Sequence, residues 1–151
     1  MKYDSKPETE AHAWRVFDLM AVILEELGER ARWHDMSKTE PPELAIFDEF
    51  TPKLKGTTYG SDEYKSYLAA MGEGLAHHYA HNRHHPEHFP NGINDMTLMD
   101  LVEMLADWKA ATERHEDGSL LRSLDIQAER FGISQQLAGI LHNTAIHLEW
   151  I

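Results

Sequence analysis

Thr97-Leu98-Met99-Asp100-Leu101-Val102-Glu103-Met104-Leu105-Ala106-Asp107-Trp108 is the stretch on which the fold class turns. Leu98, Leu101, Val102, Leu105 and Trp108 recur at the three-and-four spacing of one helical face. Thr97 stands where a side-chain oxygen would cap the first turn. No period-two alternation competes with this reading, here or elsewhere in the chain. Asp107 is the discordant residue. It lies between Ala106 and Trp108 on an otherwise apolar helix, and a carboxylate beside a core face requires a partner.

Upstream, Pro90-Asn91-Gly92 reads as a turn. Ser61 is expected to cap one long helix carrying Tyr64, Leu68, Met71 and Leu75 up to a run of histidines, with Pro86 breaking it. Lys55 to Gly60 is a loop by composition. Pro41-Pro42 opens a short helix with Leu44, Phe47 and Phe50, ending near Thr51-Pro52. The first helix is predicted from Glu8 to Leu27, burying Ala13, Phe17, Met20, Leu24 and Leu27. Gly28 is its expected cap, and Glu29 to Trp33 a short connection. Downstream, helices are predicted at Leu120 to Arg130 and Ser134 to Trp150, separated at Gly132. The expectation is an all-α chain, one domain over residues 1–151, with about six helices. Its predicted core is Phe17, Met20, Leu24, Leu68, Met71, Leu101, Leu105 and Trp108.

The chain has 151 residues, and 42% of them are apolar, enough for a folded core. It contains no cysteine, so any transition metal must be held by imidazole and carboxylate. The first residues, Met1 to Pro7, carry no apolar leader, and no apolar run approaches the roughly 18 residues of a membrane span. A cytoplasmic protein is expected, with no membrane partner. The net charge of −12, from 14 basic and 26 acidic residues, argues against binding duplex nucleic acid. It does not argue against small phosphorylated substrates, because divalent cations reverse the local field.

Histidine is the compositional outlier, with eleven in the chain. His77, His78, His81, His84, His85 and His88 crowd together, and His77, His81, His84 and His88 fall on one face if the helix continues through them. Such imidazole density points to metal. The other local signal is His34-Asp35-Met36-Ser37-Lys38. Adjacent His and Asp side chains diverge, so both can ligate one ion only at a turn or helix end, where this segment is predicted to lie. His12, near the start of the first helix, borders its apolar stripe. His142 and His147, off the stripe of the last helix, are assigned to the surface.

Taken in order, His12, His34-Asp35 and Asp107 resemble the ligand order of the HD superfamily of metal-dependent phosphohydrolases. The segment looks like that family's HDxGK, with Ser37 for the glycine. Two-metal members insert a His and then a His-His pair, which His77 or His78 followed by His84-His85 resembles. A closer resemblance is to DUF5662, a small family of phages and bacteria without an assigned reaction. It rests on HDxSK, on His77-His78, Asn82, His84-His85 and Glu87, and on Glu103-Met104 with Asp107-Trp108.

The HD resemblance implies one or two divalent ions (Mn, Fe, Co or Zn). His12, His34, Asp35 and Asp107 would hold the first, and His77 or His78 with His84 and His85 the second, bridged by Asp35. It implies a phosphohydrolase acting on a nucleotide or another small phosphate ester. Lys38, Asn82 and Arg83 are then candidates for substrate contact, and Glu87 or Glu103 for orienting water or accepting a proton from a ligating imidazole. Trp33 and Tyr59 are candidates for stacking on a base. Two alternatives share the scaffold: a diiron oxygenase, and a non-catalytic module in which metal only staples helices. A homodimer is compatible with every reading.

Overall fold

The computed structural model describes residues 3–58, 60–114 and 117–151. Tyr59 lies outside them. Among the described residues the chain is all-α, with seven α-helices and no strand. They are α1 (Lys6–Trp33), α2 (Glu43–Lys55), α3 (Asp62–Ala70), α4 (Gly72–His81), α5 (Leu98–Thr112), α6 (Leu120–Arg130) and α7 (Gln135–His147). Short 3₁₀ turns cover Met36–Thr39, Pro86–His88 and Gly92–Asp95. No helix is long and apolar enough to cross a membrane among the described residues.

The chain divides into two compact units at the His34–Asp35 bond, the first holding α1 and the second everything from Asp35 onward. α1 is longer than the predicted helix, because Gly28 does not end it. That glycine lacks the positive φ of a cap, and a helical glycine costs only about 1 kcal/mol. Pairs one turn apart support the added residues: Arg30 to Glu26 at 2.8 Å, Arg32 to Glu29 at 3.1 Å, and Trp33 Nε1 donating to Glu29 at 3.3 Å. Phe17, Met20 and Leu24, predicted as core, are exposed. Within its own unit a lone helix has no second layer to pack against.

In the second unit the expected helix from Ser61 to the histidines is two helices. Ser61 Oγ does accept from Tyr64 N, as predicted. The break falls at Gly72, whose φ of +42° is costly for any residue with a side chain. α4 then packs closely on α2. A Cβ built on Gly74 would sit 2.7 Å from Ile46 Cδ1, so the contact requires glycine. α4 ends at His81, before the predicted breaker. Pro86 keeps His85 extended (φ −94°, ψ 127°), and Asn82 already leaves the helix at φ −121°, ψ 103°. His84 and His88 therefore do not continue the helical face of His77 and His81.

Thr97 and Asp100 form a capping box at the start of α5. Met104, Leu105 and Trp108 of α5 meet Leu120 and Leu124 of α6 and Leu141 and Ala145 of α7 in the apolar core. Of the remaining predicted core, Met71 is buried, and Leu68 and Leu101 are half-buried.

Candidate metal centre

Asp35 is set by the backbone. α1 ends as His34 turns extended (ψ 124°), and Asp35 follows in the left-handed region at φ 60°, ψ 10°. Aspartate tolerates that region better than most residues. The segment thus meets the geometric condition for a ligating His-Asp pair, a helix end running into a turn. The 3₁₀ turn brings Lys38 back over Asp35, with Nζ 2.5 Å from Oδ2. The other oxygen, Oδ1, lies 3.2 Å from His78 Nε2 and 3.4 Å from His84 Nε2.

Two groups of donors converge here. Asp35, His78, His84 and His85 each offer an atom within 4.8 Å of the others, and so do His34, Asp35, His84 and Asp107. Asp35 and His84 belong to both groups. His78 comes from the last turn of α4, His84 and His85 from the bend before Pro86, and Asp107 from α5. Of the histidine pair left open by sequence, His78 supplies the inward donor, and its Nε2 is 2.9 Å from His85 Nε2.

His77 turns to the side. Its Nδ1 reaches Glu43 Oε1 at 2.7 Å, while His78 Nδ1 reaches Oε2 of the same carboxylate at 2.9 Å. Glu43 is wholly buried at the start of α2. Ser37 Oγ donates to Glu43 Oε2 at 3.0 Å and accepts from Asn82 Nδ2 at 2.8 Å. Asn82 also donates to the His78 carbonyl at 2.8 Å, which ties the end of α4 to the 3₁₀ turn. Burial pushes the Glu43 carboxyl upward, but bonds from His77, His78 and Ser37 outweigh it and leave the pKa below its usual value. His85 is shifted down to about 3, first by burial and then by the neighbouring His84 and His78. It is a neutral imidazole at neutral pH, the form that ligates metal.

Behind His84 stands a second carboxylate, with Glu103 Oε1 3.2 Å from Nδ1. His78 and His84 therefore share one arrangement: Nδ1 faces a carboxylate and Nε2 faces the cluster. That is how proteins orient metal-binding imidazoles. With four nitrogen and oxygen donors converging and two imidazoles backed by carboxylates, the residues fit a divalent transition metal.

Other sequence candidates have different surroundings. Arg83 makes a bidentate pair with the buried Asp100, at 3.1 and 3.0 Å. Glu87 pairs with Arg130 at 2.6 Å. His12 is exposed on α1, in the first unit. Trp33 is also exposed, whereas His142 is half-buried and His147 exposed.

Sequence reasoning missed Glu43 and Asp100. An acid just after Pro41-Pro42 reads as an ordinary partner of the helix dipole, so nothing marks Glu43 as buried. Asp100 carries a signal of its own, standing three residues after Thr97 as a capping box requires.

No curated protein and no solved structure matches this chain. A match to a family of unknown function extends over residues 1–148 and so takes in every residue of the cluster. The chain belongs to the DUF5662 family.

Proposed function

We propose that the chain is a metal-dependent phosphohydrolase of the HD type, acting on a nucleotide or another small phosphate ester. The observation that carries this reading is the sharing of Asp35 and His84 between two adjacent donor groups. Neighbouring donor sets joined by one carboxylate suit phosphate chemistry, where two charged oxygens need stabilising together. The order of the ligands along the chain, HD pair, His-His pair and Asp, supports the same class.

A divalent ion, when bound, supplies an acidified water near neutral pH and neutralises phosphate charge. His34, Asp35 and Asp107 would hold one, and His78, His84 and His85 another, with Asp35 the shared carboxylate; the single Nε2 lone pair of His84 can serve only one ion. The chain's own residues do the rest. Glu43 and Glu103 fix the imidazoles of His78 and His84. Lys38 compensates one oxygen of Asp35, leaving the other directed at the cluster. Being already cationic and beside the centre, Lys38 is also the side chain best placed to meet a substrate phosphate. Arg83 and Asn82 have structural partners, so substrate recognition rests less on them.

The test is metal content by mass spectrometry, with anaerobic phosphate release from a nucleoside monophosphate panel, in wild type and Asp35→Ala. Near-stoichiometric Mn, Fe, Co or Zn with phosphate release, both lost in the variant, is the expected result. A folded wild type that takes up none of these ions overturns the reading. Bound iron with oxygen uptake and no phosphate points to the oxygenase. Metal with neither activity leaves a structural staple.

A further inference from the structure

We infer that Glu43 is the positioning residue of the centre: its single buried carboxylate sets the tautomers of two adjacent histidines and thereby aims His78 at the metal. Only the metal-affinity part of this inference rests on the function proposed above. The hydrogen-bonding part stands on its own geometry.

Glu43 is fully buried, with Ser37 Oγ, His77 Nδ1 and His78 Nδ1 ranged around its two oxygens, and a carboxylate so placed can only accept hydrogen bonds. Its Oε1 meets His77 Nδ1 at 2.7 Å and its Oε2 meets His78 Nδ1 at 2.9 Å. Both Nδ1 atoms must therefore carry hydrogen. A neutral His78 then has a bare lone pair on Nε2, the atom that faces Asp35 Oδ1, His84 and His85. A free imidazole prefers neither face of a pocket, and without the carboxylate this ring could present an N–H to the cluster instead.

Ser37 and Asn82 complete the device. Ser37 Oγ donates to Glu43 Oε2, Asn82 Nδ2 donates to Ser37 Oγ, and Asn82 also holds the His78 carbonyl. His78 Nδ1 already donates to Glu43, so Asn82 Nδ2, 3.0 Å from that nitrogen, is its neighbour and not its donor. The serine in HDxSK and the asparagine after the first histidine pair thus converge on a glutamate outside both motifs. His77 occupies the second oxygen with its side chain about one-third exposed, which explains why two consecutive histidines occur where one donor enters the cluster.

Two variants test the idea. Glu43→Gln keeps the shape but offers one acceptor oxygen and one NH₂, so it can satisfy only one of the two Nδ1–H groups. Glu43→Asp keeps the charge on a shorter arm. Imidazole ¹⁵N shifts in the metal-free protein should show the Nδ1–H tautomer at His78 in wild type, mixed tautomers in Glu43→Gln, and recovery in Glu43→Asp. Cobalt(II) titration should show affinity falling about 10–100-fold in Glu43→Gln, with partial rescue in Glu43→Asp. An Nε2–H tautomer at His78 in the wild type overturns the inference, as does unchanged cobalt affinity in a folded Glu43→Gln. If the wild type binds no cobalt, the metal reading fails while the tautomer shifts still decide the role of Glu43.

Discussion

Around Trp108, seven buried side chains from α5, α6 and α7 pack with no charge among them. Around Asp35, in the same unit, Glu43, His78 and His84 are just as deeply buried, yet they are linked by a hydrogen bond and ion pairs. One helix serves both interiors. Met104, Leu105 and Trp108 of α5 face the apolar core, while Glu103 and Asp107, four residues apart, face the polar one. The apolar side is stabilised by area removed from water and is indifferent to direction. The polar side gains little net stability, since burying charge costs about as much as pairing returns, but it fixes particular atoms in particular directions. That is the property a ligand-binding centre needs.

The largest effect should come from the apolar side. Trp108→Ala removes a nearly buried indole stacked with Phe131 and should cost about 3–5 kcal/mol in urea unfolding. The loss should be the same at pH 7 and pH 5, because no titrating group joins that core. A loss that grows sharply on acidification would mean the two interiors unfold as one coupled network.

Gly74→Ala should come next, at about 1–3 kcal/mol. The new methyl has no room against Ile46, so α4 must move off α2. Since α2 carries Glu43 and α4 carries His77 and His78, metal affinity should fall along with stability. Shortening the neighbour by Ile46→Val should recover part of both. Recovery of stability without affinity would detach the close packing from the site.

These two helices also show what was legible in the sequence. The class was legible because apolar residues recur at helical spacing, but the buried face of α5 was read only in part. Leu105 and Trp108 are buried and Leu101 half-buried, whereas Leu98 and Val102 are exposed and Met104, outside the predicted stripe, is fully buried. Asp35, His84, His85 and Asp107 were legible as candidates because histidine and aspartate are conspicuous in an apolar or turn context. The ends of α1 and α4 were not. Gly28 and Pro86 are generic punctuation, the break at Gly72 is local to its positive φ, and the end of α4 at Asn82 is tied to the distant Ser37. Glu43 was illegible for the same reason, its partners lying 34 and 35 residues away. The exposure of Phe17, Met20 and Leu24 on α1 could not be anticipated either, since periodicity identifies an apolar stripe without saying what covers it.

A smaller effect separates the interiors by pH. Folded His85 has its pKa lowered to about 3, against about 6.5 when unfolded. Between those values the unfolded chain binds the extra proton, so stability present at pH 7 is lost as pH falls, by at most about 1.4 kcal/mol per pH unit. Glu43, also lowered, contributes stability that is lost as pH falls from the ordinary carboxylate range toward its own lower value. Metal-free protein unfolded at pH 6.5, 6 and 5 should show the first slope, and His85→Gln should flatten it. An unchanged slope in that variant would place the titration elsewhere.

The smallest effect is expected at Glu87, and it bears on function more than on stability. The sequence suggested that this glutamate could orient an attacking water. In the structure it lies in the 3₁₀ turn after His85 and pairs with Arg130 at the end of α6, both side chains partly exposed. A pair of that kind stabilises by less than about 1 kcal/mol. Glu87→Gln should therefore change unfolding little, leave metal content intact and leave phosphate release near the wild-type rate. Arg130→Ala should look the same, because it breaks the same tie from the other end. If Glu87→Gln instead abolished turnover while Arg130→Ala did not, the carboxylate would be acting on substrate or water, and the ion pair would be only its resting partner. Equal loss in both variants would mean that the tie holds His84 and His85 in place, extending the polar interior as far as α6.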